Sequence, residues 1–465
     1  MVGIRDGQFS PLPSEYLTPA RAFLSLVSST GAYASKTAVT RASSAPATAN
    51  PLIAAVILGL FVLAAILSAG RKDVTQGFDE VAHTSYVAHI QATDAAWPAL
   101  EGMRLLDPHS FQFTGNANYL NHPPMFYALL AALGPKLEGR PQALLAHRLI
   151  DVAIAAIGFA ALLGLGLVAQ FPRQEFYAYA VPLACIPALA PIAGAVNNDN
   201  LAFLGGAAAT LGVWQLVATR RGGWLAVALA GVIAAGWAKL TGLVLTGAMV
   251  AAVFAYIAWR RRVPWLWTIA VLLAVAIAAA PYAIYLLQYG SPTPETPAQI
   301  ALITDGARAA GWADLPRKSF PDYLGHFLVA LIVDWMPVLG VRSDFNYAML
   351  VIPVVALVCA LAGILLSLRR LRRGQETTLD TVVLAGAAAL AATFALHVGY
   401  SYGRHVATGW LMDAYPRYYL PLAAILPLAA LSLLAAIETP RWRAGLLAFL
   451  IAGPVIFRIF GAPLG

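Results

Sequence analysis

The stretch Gln76-Gly77-Phe78-Asp79-Glu80-Val81-Ala82-His83-Thr84-Ser85-Tyr86 directly follows the first long apolar segment, Pro51 to Gly70. Only 11% of the residues are charged, so two adjacent carboxylates at this place are unusual. If the chain is helical after Gly77, Asp79, His83 and Tyr86 share one helix face at spacings i, i+4 and i+7. A capped interfacial helix with acids in its first turn gives the same pattern. The stretch alone leaves both interpretations open.

Repeated apolar segments indicate that the chain crosses a membrane many times. Hydrophobic residues make up 60% of the 465 residues, against about 45–50% in soluble domains. Runs of about 20 apolar residues are long enough to cross a hydrocarbon core roughly 30 Å thick. The two cysteines, Cys185 and Cys359, both lie in apolar runs, which argues against a disulfide framework or a thiolate metal site. We expect an all-α polytopic membrane protein.

Eleven spans are predicted, at about 51–70, 149–170, 175–195, 200–218, 223–238, 241–259, 264–288, 347–368, 379–399, 416–437 and 444–460. In this arrangement the short Arg-rich connections, such as 260–262 and 369–373, fall on one side. The positive-inside rule then places the N-terminus in the cytoplasm. Residues 1–50, rich in Ser, Ala and Thr, are expected to be a cytoplasmic tail, and 51–465 a single transmembrane domain. The basic residues lie between spans and not on one face, so nucleic acid is not an expected partner.

Two long loops are predicted on the opposite, periplasmic side, at about 71–148 and 289–346. The apolar stretch 123–135 in the first loop is too short to span and favours a membrane-surface helix. A second such helix is expected at 326–340, because a span there would move the arginines of 369–373 to the wrong side. Chemistry involving groups outside the cytoplasm would be housed between these two loops.

The ionisable residues on the loop side point to a binding site when they are considered together. Lys or Arg at the end of a span often snorkels to the interface, and Asn197-Asn198-Asp199-Asn200 is a good turn sequence. Ionisable groups at membrane depth are nevertheless rare and usually face a cavity. Cations neutralise a phosphate, and a carboxylate can take a proton from an attacking hydroxyl. The sequence contains no nucleotide-phosphate loop, GxSxG or HExxH motif.

Four motifs together resemble the GT-C superfamily of integral membrane glycosyltransferases: Asp79-Glu80, His122-Pro123-Pro124, Asn197-Asn198-Asp199 and Tyr415-Pro416-Arg417-Tyr418. Aminoarabinose transferases and protein O-mannosyltransferases are the nearest named groups, and uncharacterised bacterial members look closer still. The resemblance implies a GT-C fold in the bacterial inner membrane. It also implies inverting transfer of a sugar from a polyprenyl-phosphate donor to a lipid, glycan or protein acceptor on the periplasmic face, without a nucleotide.

The resemblance also implies roles for individual residues. Asp79 and Glu80 would be the catalytic carboxylates, with Asp79 as base or acceptor-orienting group and Glu80 supporting it or binding a metal. The donor phosphate and sugar would be bound by His83, Tyr86, Arg104, His122, Lys239 and Arg417. His122 stands where the aminoarabinose enzymes have a lysine. An imidazole is fully charged only when protonated, so Arg417, Lys239 or Arg104 would have to supply the positive charge. A divalent metal ion is left open as a cofactor, with Asp79, Glu80 and His83 as its candidate ligands.

Two other functions use the same residues. A transporter or flippase of a lipid-linked sugar needs the cations and aromatic rings but no base. A non-catalytic subunit that binds polyprenyl lipid needs neither a base nor a transport path. Product formation in detergent, where no membrane barrier exists, separates the enzyme from the flippase.

Overall fold

The computed structural model describes residues 50–333 and 347–460. The predicted cytoplasmic tail, apart from Asn50, and the second half of the predicted helix at 326–340 lie outside these ranges. The α-helices are, in chain order, α1 Pro51–Arg71, α2 Glu80–Thr93, α3 Met125–Leu133, α4 Leu144–Val168, α5 Arg173–Ala184, α6 Leu189–Ala193, α7 Asp199–Thr219, α8 Gly222–Ala238, α9 Leu240–Arg260, α10 Trp265–Tyr289, α11 Pro297–Ala309, α12 Phe320–Val333, α13 Val351–Arg372, α14 Thr378–Thr408, α15 Ile425–Ala436 and α16 Pro440–Phe460. Short 3₁₀ helices cover Leu100–Gly102, Pro141–Ala143, Tyr347–Leu350 and Pro416–Leu422.

The prediction of an all-α polytopic membrane protein is confirmed. Within the described ranges, eight helices are long and apolar enough to cross a membrane, namely α1, α4 with the 3₁₀ turn before it, α7, α9, α10, α13, α14 and α16. A ninth span results if Pro416–Leu422 and α15 are counted together, although they meet at a bend of 62°. The chain is therefore built around a bundle of long hydrophobic helices.

The other predicted spans fall on shorter or interrupted helices. Helix α8 has 17 residues. The segment predicted as a span at 175–195 breaks after Ala184 into α5 and the five-residue α6. Prolines account for the break, because a proline inside a helix removes a backbone donor and clashes with the preceding turn. Pro182 lies in the last turn of α5, and Pro187 follows in the gap.

The first long loop folds into a small layer beside the ends of the spans. Helix α2 packs on the nine-residue α3, which matches the short membrane-surface helix expected at 123–135. A hairpin of β1 Arg104–Leu106 and β2 Phe113–Ala117 packs against α2, where the Leu106 N–H donates to Ser85 Oγ at 2.8 Å. The sequence analysis predicted no strands, and strands of three and five residues carry too little alternation to be recognised.

A glycine allows close contact between helix α7 and the 3₁₀ helix Pro416–Leu422. Gly206 of α7 lies against the backbone of Pro421, so that a Cβ at this position would collide with the Pro421 carbonyl. Small residues allow helix backbones to approach in this way. The contact fixes the 3₁₀ segment Pro416–Leu422, and with it Arg417, against the start of the membrane bundle.

We expect Gly206→Ala to displace the Pro416–Leu422 segment, because its methyl group meets backbone and not a movable side chain. The loss of unfolding free energy should be about 1–3 kcal/mol, as for other overpacked sites. Thermal unfolding of the purified protein in detergent measures it. Gly164→Ala is the matched control, since a Cβ there meets nothing within 4 Å. Equal effects of the two substitutions would contradict the packing argument.

Candidate active site

The turn before α2 gives Asp79 an unusual backbone. Gly77, Phe78 and Asp79 all have positive φ, at 88°, 62° and 59°. Helix α2 begins at Glu80, so Asp79 is its N-cap residue and not part of the helix face that the sequence analysis considered. Within the described residues its carboxylate makes no capping hydrogen bond. A left-handed conformation disfavours non-glycine residues, and this turn aims the side chain away from its own helix.

Asp79 instead pairs with a residue from the far end of the chain. Arg417 Nη2 donates to Asp79 Oδ2 at 2.7 Å, and the Tyr119 hydroxyl donates to Oδ1 at 3.1 Å. The Asp79 side chain is 39% exposed and that of Arg417 is 15% exposed, so a ligand can reach the pair. Burial raises the pKa of Asp79, but the charge and hydrogen bond of Arg417 outweigh it and hold the pKa at about 2.

A second acid continues this line of charges. Arg417 Nε lies 3.7 Å from Asp199 Oδ2, and Asp199 forms a buried ion pair with Lys239. The Lys239 ammonium also lies 4.4 Å from the centre of the Tyr418 ring. Asp79, Arg417, Asp199 and Lys239 therefore alternate in charge and come from four separate segments. We call these four residues the charge row.

Asp199 received no site role in the sequence analysis, although it belongs to one of the four motifs. Its segment was interpreted as a good turn sequence, but the asparagines also tie the site together. Asn197 Nδ2 donates to the Phe78 carbonyl, and Asn198 Nδ2 donates to the Ala238 carbonyl, both at 2.8 Å. Phe78 precedes Asp79 and Ala238 precedes Lys239, so the turn positions both ends of the charge row. An acid at the start of a helix, between asparagines, was the available signal.

The histidines and tyrosines form a wall next to these charges. The His83 Nδ1 and the Tyr127 hydroxyl lie 2.9 Å apart, and the rings of His83 and His122 stack at 6.1 Å. Tyr86 stacks on Tyr127 with ring centres 3.9 Å apart, and its hydroxyl donates to the His122 carbonyl at 3.3 Å. The predicted residues His83, Tyr86 and His122 are therefore neighbours.

The two histidines are neutral near pH 7. Burial, with help from Lys239, lowers the pKa of His122 to about 4, and burial beside His122 lowers the pKa of His83 well below its usual value. The positive charge here belongs to Arg417 and Lys239, as the sequence analysis expected if His122 did not supply it.

Glu80 lies in a different environment from Asp79. Its carboxylate forms a bidentate ion pair with Arg148, with both N–O distances at 2.7 Å, and accepts from the Val196 N–H at 2.9 Å. Arg148 Nη1 also donates to the carbonyls of Ala69 and Lys72. Both side chains are buried. This geometry favours the supporting role implied by the resemblance over a catalytic role for Glu80.

Arg104 lies apart from the other predicted site residues, and the candidate metal ligands do not form a cluster. Arg104 is exposed on β1, and its Nη1 donates to the Gly115 carbonyl at 3.3 Å. In the part of the chain that the structure describes, no group of three or more His, Cys, Asp and Glu side chains could hold a metal ion. Asp79, Glu80 and His83 therefore do not form the three-ligand set considered from the sequence, and a metal requirement stays a prediction.

Arg404 and His405 lie in the last turns of helix α14. Arg404 pairs with Asp413 at 3.1 Å and with Glu295 at 2.8 Å. These contacts hold the segment just before Tyr415 and Arg417 against the second long loop.

Comparison with solved structures finds a likeness in fold. The chain is similar to ArnT from Cupriavidus metallidurans bound to undecaprenyl phosphate, with 15% sequence identity, a TM-score of 0.35, and coverage of 87% of this chain and 86% of that one. The likeness is one of fold. No family model and no curated protein matches the chain.

Breaking the Glu80–Arg148 pair should be strongly destabilising. We expect Arg148→Met to lower the unfolding free energy by about 3–5 kcal/mol, because it leaves the Glu80 carboxylate buried without its cation. Glu80→Gln combined with Arg148→Met should recover most of this loss. Arg443→Met, which breaks a partly exposed pair with Glu175, should cost less than about 1 kcal/mol. A double variant no more stable than Arg148→Met would contradict an uncompensated charge as the cause.

The Asp79–Arg417 pair should make the unfolding free energy depend on pH in the acidic range. The pKa of Asp79 is lowered in the folded protein, so its contribution is complete above the ordinary aspartate pKa and is lost as the pH falls toward 2. The advantage of the wild type over Asp79→Asn should be about 1 kcal/mol at pH 5.5, because solvent screens the partly exposed carboxylate. It should shrink steadily below pH 4. Thermal unfolding of both proteins from pH 6 to 3 tests this, and a pH-independent difference would contradict it.

Proposed function

We propose that the chain is an inverting glycosyltransferase that moves a sugar from a polyprenyl-phosphate donor to a lipid, glycan or protein acceptor. The observation that carries the proposal is the accessible contact between Asp79 and Arg417, at 2.7 Å. It joins a base candidate and a phosphate-binding candidate that are 338 residues apart. The reaction would take place on the periplasmic side of a bacterial inner membrane, with the N-terminus in the cytoplasm.

The reaction needs one bond to form and one to break at the anomeric carbon. The acceptor hydroxyl oxygen attacks that carbon from the face opposite the phosphate, and its proton passes to the Asp79 carboxylate. The bond from the anomeric carbon to the phosphate oxygen breaks, and polyprenyl phosphate leaves with one more negative charge. Arg417 and Lys239 stabilise that charge, which develops only as the bond breaks.

Arg417 connects donor binding to the basicity of Asp79. A carboxylate with a pKa of about 2 is a weak proton acceptor near neutral pH. A donor phosphate competes with Asp79 for the guanidinium of Arg417, which prefers bidentate anions. When Arg417 turns toward the phosphate, Asp79 loses its main charge partner and its pKa rises. The base would therefore be activated when donor is bound.

Asp199 and the tyrosines complete the proposed site. Asp199 contacts both cations of the charge row, Arg417 and Lys239, so it sets their positions while the phosphate binds. Tyr119, Tyr415 and Tyr418 lie around Asp79 and Arg417 and offer aromatic faces and hydroxyls to a sugar. Tyr86 would act through its contact with the backbone of His122.

We expect Asp79→Asn to lower transfer by at least about 100-fold, the usual scale for loss of a general base. Polyprenyl-phosphate binding should persist, because Arg417 and Lys239 remain. The measurement is sugar transfer by the purified protein in detergent, using a panel of polyprenyl-phosphate sugars, together with phosphate-lipid affinity. Asp305→Asn is the control, since Asp305 is largely exposed.

One result would reject the role of Asp79, and another would reject the transferase function itself. Full activity of Asp79→Asn would remove this residue from the chemistry. Wild-type protein that moves a lipid-linked sugar across a vesicle membrane, but makes no product in detergent with any acceptor, would be a flippase.

A further inference from the structure

Lys72 is a buried cation that the proposed reaction does not use. It directly follows α1 and is only 7% exposed. Its ammonium nitrogen is fully buried and has no hydrogen-bond partner in residues 50–333 and 347–460. Lysine is almost never buried without a partner, because removing an ammonium from water is costly. An unpaired ammonium at this place therefore requires an explanation.

The position of Lys72 connects it to the candidate active site. Its Nζ lies 4.2 Å from the centre of the Phe78 ring, and Arg417 Cζ lies 6.0 Å from the centre of the same ring. Phe78 directly precedes Asp79 in the left-handed turn. The contact with the ring offsets only part of the cost of burial. Lys72 thus lies beside the same aromatic side chain as the proposed phosphate-binding arginine.

Three of the nearby acids are already paired with other cations. Glu80 is bound by both nitrogens of Arg148 and by the Val196 N–H. Asp79 is paired with Arg417, and Asp199 with Lys239. Asp151 accepts from the Asn197 N–H and forms no ion pair among the described residues.

Lys72 is the cation left out of these ion pairs. Arg148, Lys239 and Arg417 are paired with Glu80, Asp199 and Asp79, whereas the ammonium of Lys72 lies over the Phe78 ring. Among the described residues this ammonium has no hydrogen-bond partner. Ionisable groups kept in this state usually mark the path or site of a ligand of opposite charge.

We propose that Lys72 is a phosphate-binding residue that, together with Arg417, holds the phosphate group of a lipid ligand. The inference rests on the proposed function for the identity of the preferred ligand, a polyprenyl phosphate. A lysine binds phosphate as a compact point charge with three N–H donors. Its flexible four-carbon stem allows the ammonium to move from the Phe78 ring to the incoming anion. Arg417 can then engage the same phosphate after leaving Asp79.

The test compares three variants of the full-length protein in detergent. Lys72→Met keeps the length and apolar stem but removes the charge, Lys72→Arg keeps the charge, and Lys136→Met removes an exposed lysine as a control. The probes are farnesyl phosphate, farnesol, inorganic phosphate, and vesicles of phosphatidylglycerol. Binding is measured by calorimetry for the soluble probes and by flotation for the vesicles.

Lys72→Met should bind farnesyl phosphate at least about 10-fold more weakly, as expected for loss of a charge-assisted contact. Its binding of farnesol should be unchanged, and Lys72→Arg should retain most of the affinity. Its unfolding temperature should equal or exceed that of the wild type, because an unpaired buried charge is removed. A Lys72-dependent effect on inorganic phosphate or on phosphatidylglycerol vesicles would identify those sources of the same phosphate group.

Other outcomes overturn the inference. Wild-type affinity of Lys72→Met for every phosphate probe would show that the ammonium binds none of them. Equal losses for farnesyl phosphate and farnesol, or a lower unfolding temperature, would make Lys72 a packing residue. The proposed function is tested separately: if no sugar transfer is found but farnesyl phosphate binding depends on Lys72, only the transferase proposal fails.

Discussion

The buried ion pair between Glu80 and Arg148 is the constraint on which the site depends. It connects α4 to the first residue of α2, to the end of α1 through the carbonyls of Ala69 and Lys72, and to the Val196 N–H before α7. A single guanidinium and a single carboxylate therefore position four chain segments. Neither charge can be left alone in such an environment without a large cost, so the segments keep this arrangement together.

The strained turn of Phe78 and Asp79 is a consequence of that arrangement. Glu80 is fixed by Arg148 on one side, and the Phe78 carbonyl is held by Asn197 on the other. The backbone between them adopts positive φ at two residues that ordinarily avoid it. As a result the two adjacent carboxylates separate, one into the protein interior and one toward Arg417. Their different environments divide a sequence doublet into a buried acid and an accessible acid.

Much of the fold was readable because apolar length is a strong signal. The long spans such as α1 and α10 were predicted closely, whereas the segment 175–195 was not, since its prolines interrupt a run that is apolar throughout. Asp79, His83, His122, Lys239 and Arg417 were expected to meet, and they do. Arg148 was missed because it lies in none of the four motifs, and Asp199, although in one, was interpreted as a turn residue. A charge within a hydrophobic run shows that a partner exists but not which residue it is. Arg104 was included for its charge alone, and the hairpin directs it elsewhere.

The neutral state of the two neighbouring histidines has a consequence for how the site responds to pH. His83 and His122, the groups that would ordinarily respond to mild acidification, are held uncharged by burial, and Asp79 stays ionised to well below pH 4. Mild acidification therefore adds no charge at either histidine, and an incoming anion meets the same pattern of charges over a range of several pH units.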